Sequence, residues 1–256
     1  DLQVGNPPWV RPDWDEVREL AEFDPWWVVT DAPSPSRQKE RRENLLSDPN
    51  VVARLLDQRA GQAGISELYG SSILYPLLQG QHSNLYRSFI SNTWRNMKVD
   101  GIVALIHTDN HLTEPSAGRI RRDCYLRLRR HWDFKNQLKL FEIGNTRSFS
   151  VNVYGARNDA PQFLHAAYLY HPDTILRSFK HSGDTPLPGI KDENDNWSLE
   201  PHSSRIETVD GSVLRQWADL LDSVDLPSLE ARMVYTPTRA ANAAIAQLSK
   251  APRVPV

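Results

Sequence analysis

Apolar positions recur along this 256-residue chain with three different spacings, and each predicts a different element. Residues 2–5 form a short apolar run of strand length that stops at Asn6-Pro7-Pro8-Trp9. Between residues 84 and 97, Leu85, Phe89, Ile90, Trp94 and Met97 recur at helical spacing, with Ser83 or Asn84 available as a cap. Asp100-Gly101 breaks that helix, and Ile102, Val103, Ala104, Leu105 and Ile106 then run without a polar residue, as in a strand buried on both faces. A further helix is predicted over 119–132, with Ile120, Cys124, Leu128 and Trp132 on one stripe. Strands are predicted over 138–143 and 149–155, joined by a turn at 144–147. In the second, Phe149, Val151 and Val153 alternate with Ser148, Ser150 and Asn152. A helix, a tight turn and a buried strand make half of a βαβ unit, and the hairpin closes its sheet, so the predicted class is α/β.

The intervening stretches are less periodic. Trp14, Phe23, Trp26 and Trp27 lie among acidic residues and suggest a short helix with a turn at Asp24-Pro25. Residues 30–50 are rich in Asp, Pro, Ser, Lys and Arg and read as a mobile loop leading into a helix over 51–60. Taken together, 10–83 reads as an insertion. Beyond Arg157 the composition changes: residues 183–230 hold 11 acids against Lys191, Arg205 and Arg215. A boundary is therefore placed at 157, with 158–256 an acidic, mostly irregular or helical appendage, helical near 212–222 and 240–249 and disordered from Ala251.

A formal charge of −2 excludes a globally basic nucleic-acid binder and leaves only local patches. The arginines at 119, 121, 122, 127, 129 and 130 read first as the solvated face of a sheet-covering helix; Arg121, Arg122 and Arg129 are the candidates for DNA phosphate contacts. One cysteine, Cys124, excludes an internal disulfide framework, and no run of 18 apolar residues exists. A soluble, cytoplasmic protein is expected, with no membrane partner. The eight histidines lie scattered without a His-Glu-x-x-His pattern, so no metal site is expected and each histidine reads as a surface or structural residue.

Chemistry concentrates at Asn6-Pro7-Pro8-Trp9. Two prolines fix φ near −65° and donate no N–H, which leaves a rigid turn rich in acceptors. Asn6 Oδ1 and the Pro7 carbonyl can each accept a hydrogen bond from an exocyclic amino group, while the Trp9 ring offers a stacking surface.

This tetrapeptide closely resembles motif IV of the S-adenosylmethionine-dependent amino-methyltransferases, above all the DNA adenine-N6 enzymes. The order of elements extends the resemblance over residues 1–157. Asn84-Leu85-Tyr86-Arg87-Ser88-Phe89 is similar to the Asn-Leu-Tyr-x-x-Phe helix of the γ-type and Eco57I-like enzymes, and the Gly101-led strand and the Leu138-Lys139-Leu140-Phe141 hairpin follow as in that family. Closest are the large methyltransferases of restriction-modification and phage-defence systems of the BREX and DISARM kind. The resemblance implies the C-terminal half of a Rossmann-like class I methyltransferase sheet. It implies Asn6, Pro7, Pro8 and Trp9 as catalytic residues, Trp9 and Phe141 stacking on the target base, S-adenosylmethionine as cofactor, and DNA and other defence-system subunits as partners. Where relatives carry Pro after the Gly-led strand, this chain has His107-Thr108-Asp109-Asn110. No glycine-rich cofactor loop precedes Asn6, so the expectation is a fragment that is inactive alone and completed by an N-terminal part of the same polypeptide. RNA adenine or protein glutamine methylation, or a non-catalytic nucleic-acid or partner-binding module, stand as alternatives.

Overall fold

The computed structural model describes residues 1–81, 84–223 and 225–248; Ser83 and the tail from Ala251 lie outside them. Six strands form one sheet: β1 (Leu2–Gly5), β2 (Ile102–His107), β3 (Leu128–Lys135), β4 (Ser148–Tyr154), β5 (Gln162–Leu169) and β6 (Glu207–Asp210), in spatial order β1-β2-β4-β3-β5-β6. β1 and β2 are parallel, β4 inserts antiparallel between β2 and β3, β5 adds parallel to β3, and β6 closes the far edge antiparallel. Four strands thus share one direction, and the carboxyl ends of β1, β2, β3 and β5 lie at one end of the sheet. The fold is mixed α/β, with a parallel pair followed by an antiparallel hairpin.

The helices are α1 (Glu16–Ala21), α2 (Trp26–Val29), α3 (Pro35–Leu46), α4 (Pro49–Gly70), α5 (Leu85–Asn96), α6 (Asn110–Thr113), α7 (Gly118–Arg127), α8 (Pro172–Ser178), α9 (Gly211–Leu221) and α10 (Arg239–Leu248). Two compact units result: one is Val10–Leu85, the other joins Asp1–Trp9 to the chain from Tyr86 onward.

In the sheet unit, strand alternation produces two unlike faces. One carries Trp132, Phe134, Phe149 and Ala166, packed with Ile106, Val151, Leu164 and Trp9 and covered by Ile175 of α8. The other carries the row Leu105, Asn152, His131 and His165, each paired with the next across the sheet, and one step on His107, Ser150 and Asp133. All seven are buried. Aromatic contacts seal this face: Trp94 of α5 meets Tyr154, Tyr125 of α7 stacks on Phe163, and Trp217 of α9 meets His165. At the β1 edge the apolar face is uncovered, with Leu2 66% and Val4 74% exposed.

Three expectations are corrected. The helix predicted over 119–132 ends at Arg127, and 128–135 is β3. His131, Trp132, Asp133 and Phe134 are buried on alternate faces, which a one-stripe helix cannot do. The strand predicted over 138–143 is irregular, because Asn136 turns the chain: its amide donates to the carbonyls of Phe141 and Ile143 and accepts from Phe141 N–H. The hairpin therefore pairs β3 with β4. Finally, 158–256 is irregular or helical over most of its length, as expected, but it is no separate appendage, since it supplies β5 and β6 to the same sheet.

The Val10–Leu85 unit contains helix where a loop was expected over 30–50. α3 buries no residue, so it lacks the apolar stripe that periodicity detects. Arg41 instead pairs with Asp24, and Arg42 with Glu16. The unit's small core joins Leu20, Val51 and Leu55 to Trp14, Trp27, Leu45 and Leu46.

Candidate functional site

β1 ends at Gly5, and the two prolines carry the chain off the sheet at the carboxyl end of the parallel pair. Such ends are where α/β sheets bind ligands. Pro7 is buried, which anchors the turn, while Asn6 and Pro8 are exposed. Neither the Asn6 amide nor the Pro7 carbonyl has a hydrogen-bond partner among the described residues. Trp9 is fixed in place: its indole N–H donates to the Ile106 carbonyl at 3.2 Å, at the end of β2. One ring face stacks on Phe149, with centroids 6.2 Å apart and planes 21° apart.

Phe141 lies beside it. Its ring meets Trp9 edge-on at 6.1 Å and 63°, and meets Phe149 at 4.7 Å and 83°. A base held between two parallel rings needs roughly 7 Å between them, twice the ordinary contact distance. No such slot exists between Trp9 and Phe141 as they stand, so the expected sandwich is a closed aromatic cluster here. Phe141 sits in the irregular segment that Asn136 pins, next to Lys139 at φ 52°.

The arginine candidates separate. Arg121 is 1% exposed and donates to the carbonyls of His111, Glu114 and Glu230, so it faces the interior and not a phosphate. Arg129 lies in β3 and donates to the carbonyls of Arg127, Leu128 and Ala156 and to Asn158 Oδ1. Only Arg122 of the three is exposed, 3.9 Å from Glu230.

Sequence reasoning missed the buried histidine face. Among the described residues, five histidines are buried: His107, His111, His131, His165 and His202. Asp109, just past β2, accepts from His131 Nε2 at 2.9 Å, from the Tyr235 hydroxyl at 3.1 Å and from the Ser150 hydroxyl. Burial alone raises its carboxyl, but the charge and hydrogen bond of His131, with His107 and Ser150, outweigh this and hold it below the usual carboxylate range. Burial pushes His107 down to about 4, and drives His111 and His165 well below an ordinary imidazole. Asp133 is raised by burial, against the pull of Lys135 at 3.0 Å. A weak signal existed for two of them: His107 closes the apolar run 102–106, and His165 sits within the apolar run 163–169. Among the described residues no three His, Cys, Asp or Glu side chains are placed to hold a metal ion.

No family model and no curated protein matches the chain. Solved structures are similar to it over part of its length. The ATP-dependent Type ISP restriction-modification enzyme LlaBIII bound to DNA is similar over 65% of this chain and 10% of its own, at 8% identity and TM-score 0.32. A nuclease-deletion mutant of the Type ISP enzyme LlaGI, in complex with a DNA substrate mimic, is similar over 77% of this chain and 18% of its own, at 13% identity and TM-score 0.35. The M protein of the Type I restriction enzyme EcoKI is similar over 63% of this chain and 41% of its own, at 14% identity and TM-score 0.31. The chain thus spans between a tenth and two fifths of these proteins. Overlaps of this extent carry no argument about chemistry, which rests on the chain's own residues.

Proposed function

We propose that this chain is the substrate-facing portion of a DNA adenine-N6 methyltransferase, of the kind found in restriction-modification and phage-defence systems, with residues 1–157 its catalytic part and 10–83 an insertion. One observation carries the reading: at the carboxyl end of β1, Asn6 and the Pro7 carbonyl are two unpartnered acceptors on a rigid turn, beside an indole tethered to the neighbouring parallel strand.

In this reading Asn6 Oδ1 and the Pro7 carbonyl each accept one hydrogen of an extruded adenine's amino group. The amine's lone pair is conjugated with the ring, so acceptors that favour a tetrahedral nitrogen act in the transition state more than in the ground state. Pro8 holds the turn, and the exposed part of Trp9 gives the base its stacking surface, a contribution of about 1–3 kcal/mol. Phe141 swings from its edge contact to take the second face.

S-adenosylmethionine is the methyl donor this reading implies. Among the described residues no glycine-rich turn joins a strand to a helix, and β1 runs directly into prolines, so the residues present do not form its cradle. The uncovered Leu2 and Val4 on the outer strand support a further sheet portion packing there, and that portion would hold the cofactor. In the polypeptide containing that portion, Asn6→Ala lowers labelled-methyl transfer to a DNA duplex by about 100-fold or more while calorimetric cofactor binding is unchanged. Full transfer by the variant would refute the assignment. Should the label enter RNA or a glutamine amide instead, the turn is right and the substrate wrong.

A further inference from the structure

The Asp109 carboxylate receives three donors, and this fixes protons further along. His131 Nε2 must carry hydrogen to serve it, so in a neutral ring His131 Nδ1 is bare. His131 Nδ1 lies 2.9 Å from His165 Nδ1, a contact with room for one hydrogen. Two fillings satisfy it. Either His165 Nδ1–H donates to a neutral His131 and His165 Nε2 stays bare, or an imidazolium at His131 donates to His165, whose Nε2 then carries hydrogen. These differ by one proton. A further proton would place hydrogens on both facing Nδ1 atoms and force them apart.

Tyr235 closes this chain from above. Its hydroxyl donates to Asp109, and its ring edge meets both His131 and His165 at 5.9 Å. The segment 231–238 that carries it is tied at its start by Tyr125 hydroxyl to the Ala231 carbonyl, Arg232 to Asp222, and Met233 N–H to the Leu112 carbonyl. We propose that Asp109, His131 and His165 form a hydrogen-bonded chain of fixed tautomers that clamps the strap 231–238 to the sheet, taking one proton intact and opening on the next.

The groups facing this pair are few. β2 and the turn after it bring His107 and Asp109; α6 brings His111; β3 brings Asp133 and Lys135; β4 brings the uncharged Ser150 and Asn152; α7 brings Tyr125; α9 brings the uncharged Trp217; the strap brings Tyr235. Glu207 of β6 pairs with His165 in register, but its carboxylate is taken by Asn242. His165 Nε2 has no partner, so it is the end at which the proton enters.

Nitrogen-15 spectra of the imidazoles, with hydrogen exchange of the strap, test this on the full chain. At pH 8 the expected form is His165 with Nδ1–H and bare Nε2, the less common tautomer in water; one proton then moves His165 to Nε2–H, and a second lowers the protection of 231–238 relative to the intrinsic exchange rate at that pH. Tyr235→Phe, which keeps the ring, raises strap exchange roughly tenfold at pH 8 and leaves the His165 tautomer in place. His165 found as the Nε2–H neutral form at pH 8, independent titration of the two rings, or strap exchange unmoved by both acid and Tyr235→Phe would overturn the proposal.

Discussion

At the scale of single residues, the turn at Asn6 and the amide of Asn136 do the positioning. Trp9→Phe keeps an aromatic side chain but is smaller and leaves the Ile106 carbonyl short of a donor, and should lower stability by about 1 kcal/mol or more in urea unfolding. Asn136→Ala should cost more, on the order of 2–3 kcal/mol, because a fully buried side chain loses three hydrogen bonds at once. The same variant should free the Phe141 segment to proteolysis; an unchanged cleavage pattern there would show that something other than Asn136 holds it. The turn after Gly5 was legible in the sequence because Pro-Pro states its geometry locally. The tether of Trp9 was not, since its acceptor is a backbone carbonyl 97 residues away.

Among elements, what could be read depended on whether burial fell on one stripe. The helix from Leu85 and the strand from Ile102 carry clear apolar periods and lie where the pattern puts them. β3 carries Arg129, Arg130, His131 and Asp133 beside Trp132 and Phe134, and so its first half passed for helix: Arg129, His131 and Asp133 are satisfied within the protein, a condition no periodicity encodes. α9 shows the reverse, a local signal with a local effect. Asp210 caps it by accepting from Ser212 N–H at 2.8 Å and Val213 N–H at 3.1 Å. Asp210→Ala should cost about 1 kcal/mol and loosen α9 in hydrogen exchange, with α5 unaffected.

For the molecule as a whole, the buried histidine face links folding to pH. His107 is held at about 4 when folded, against 6.5 when unfolded, so its contribution is fully present above pH 6.5 and is lost as pH falls toward 4. That one group amounts to about 3 kcal/mol, and the lowered His111 and His165 act in the same direction. Urea midpoints should therefore fall between pH 7 and pH 4.5; a flat profile would contradict the burial of these rings. The α/β class was readable from the chain, whereas the extension of the sheet by β5 and β6 was not: β6 is four residues long and lies inside the acidic stretch 183–230, and β5 falls beyond the boundary that the change of composition suggested at 157.

Asn6 and the Pro7 carbonyl are proposed to hold an adenine amino group for methylation. This role is tested most directly by expressing the polypeptide that contains this chain, wild type and Asn6→Ala, and measuring modified bases in the host DNA by mass spectrometry. N6-methyladenine is expected with the wild type and a loss of about 100-fold or more with Asn6→Ala, at equal amounts of folded protein. Equal N6-methyladenine in both strains, or none with the folded wild type, would contradict it.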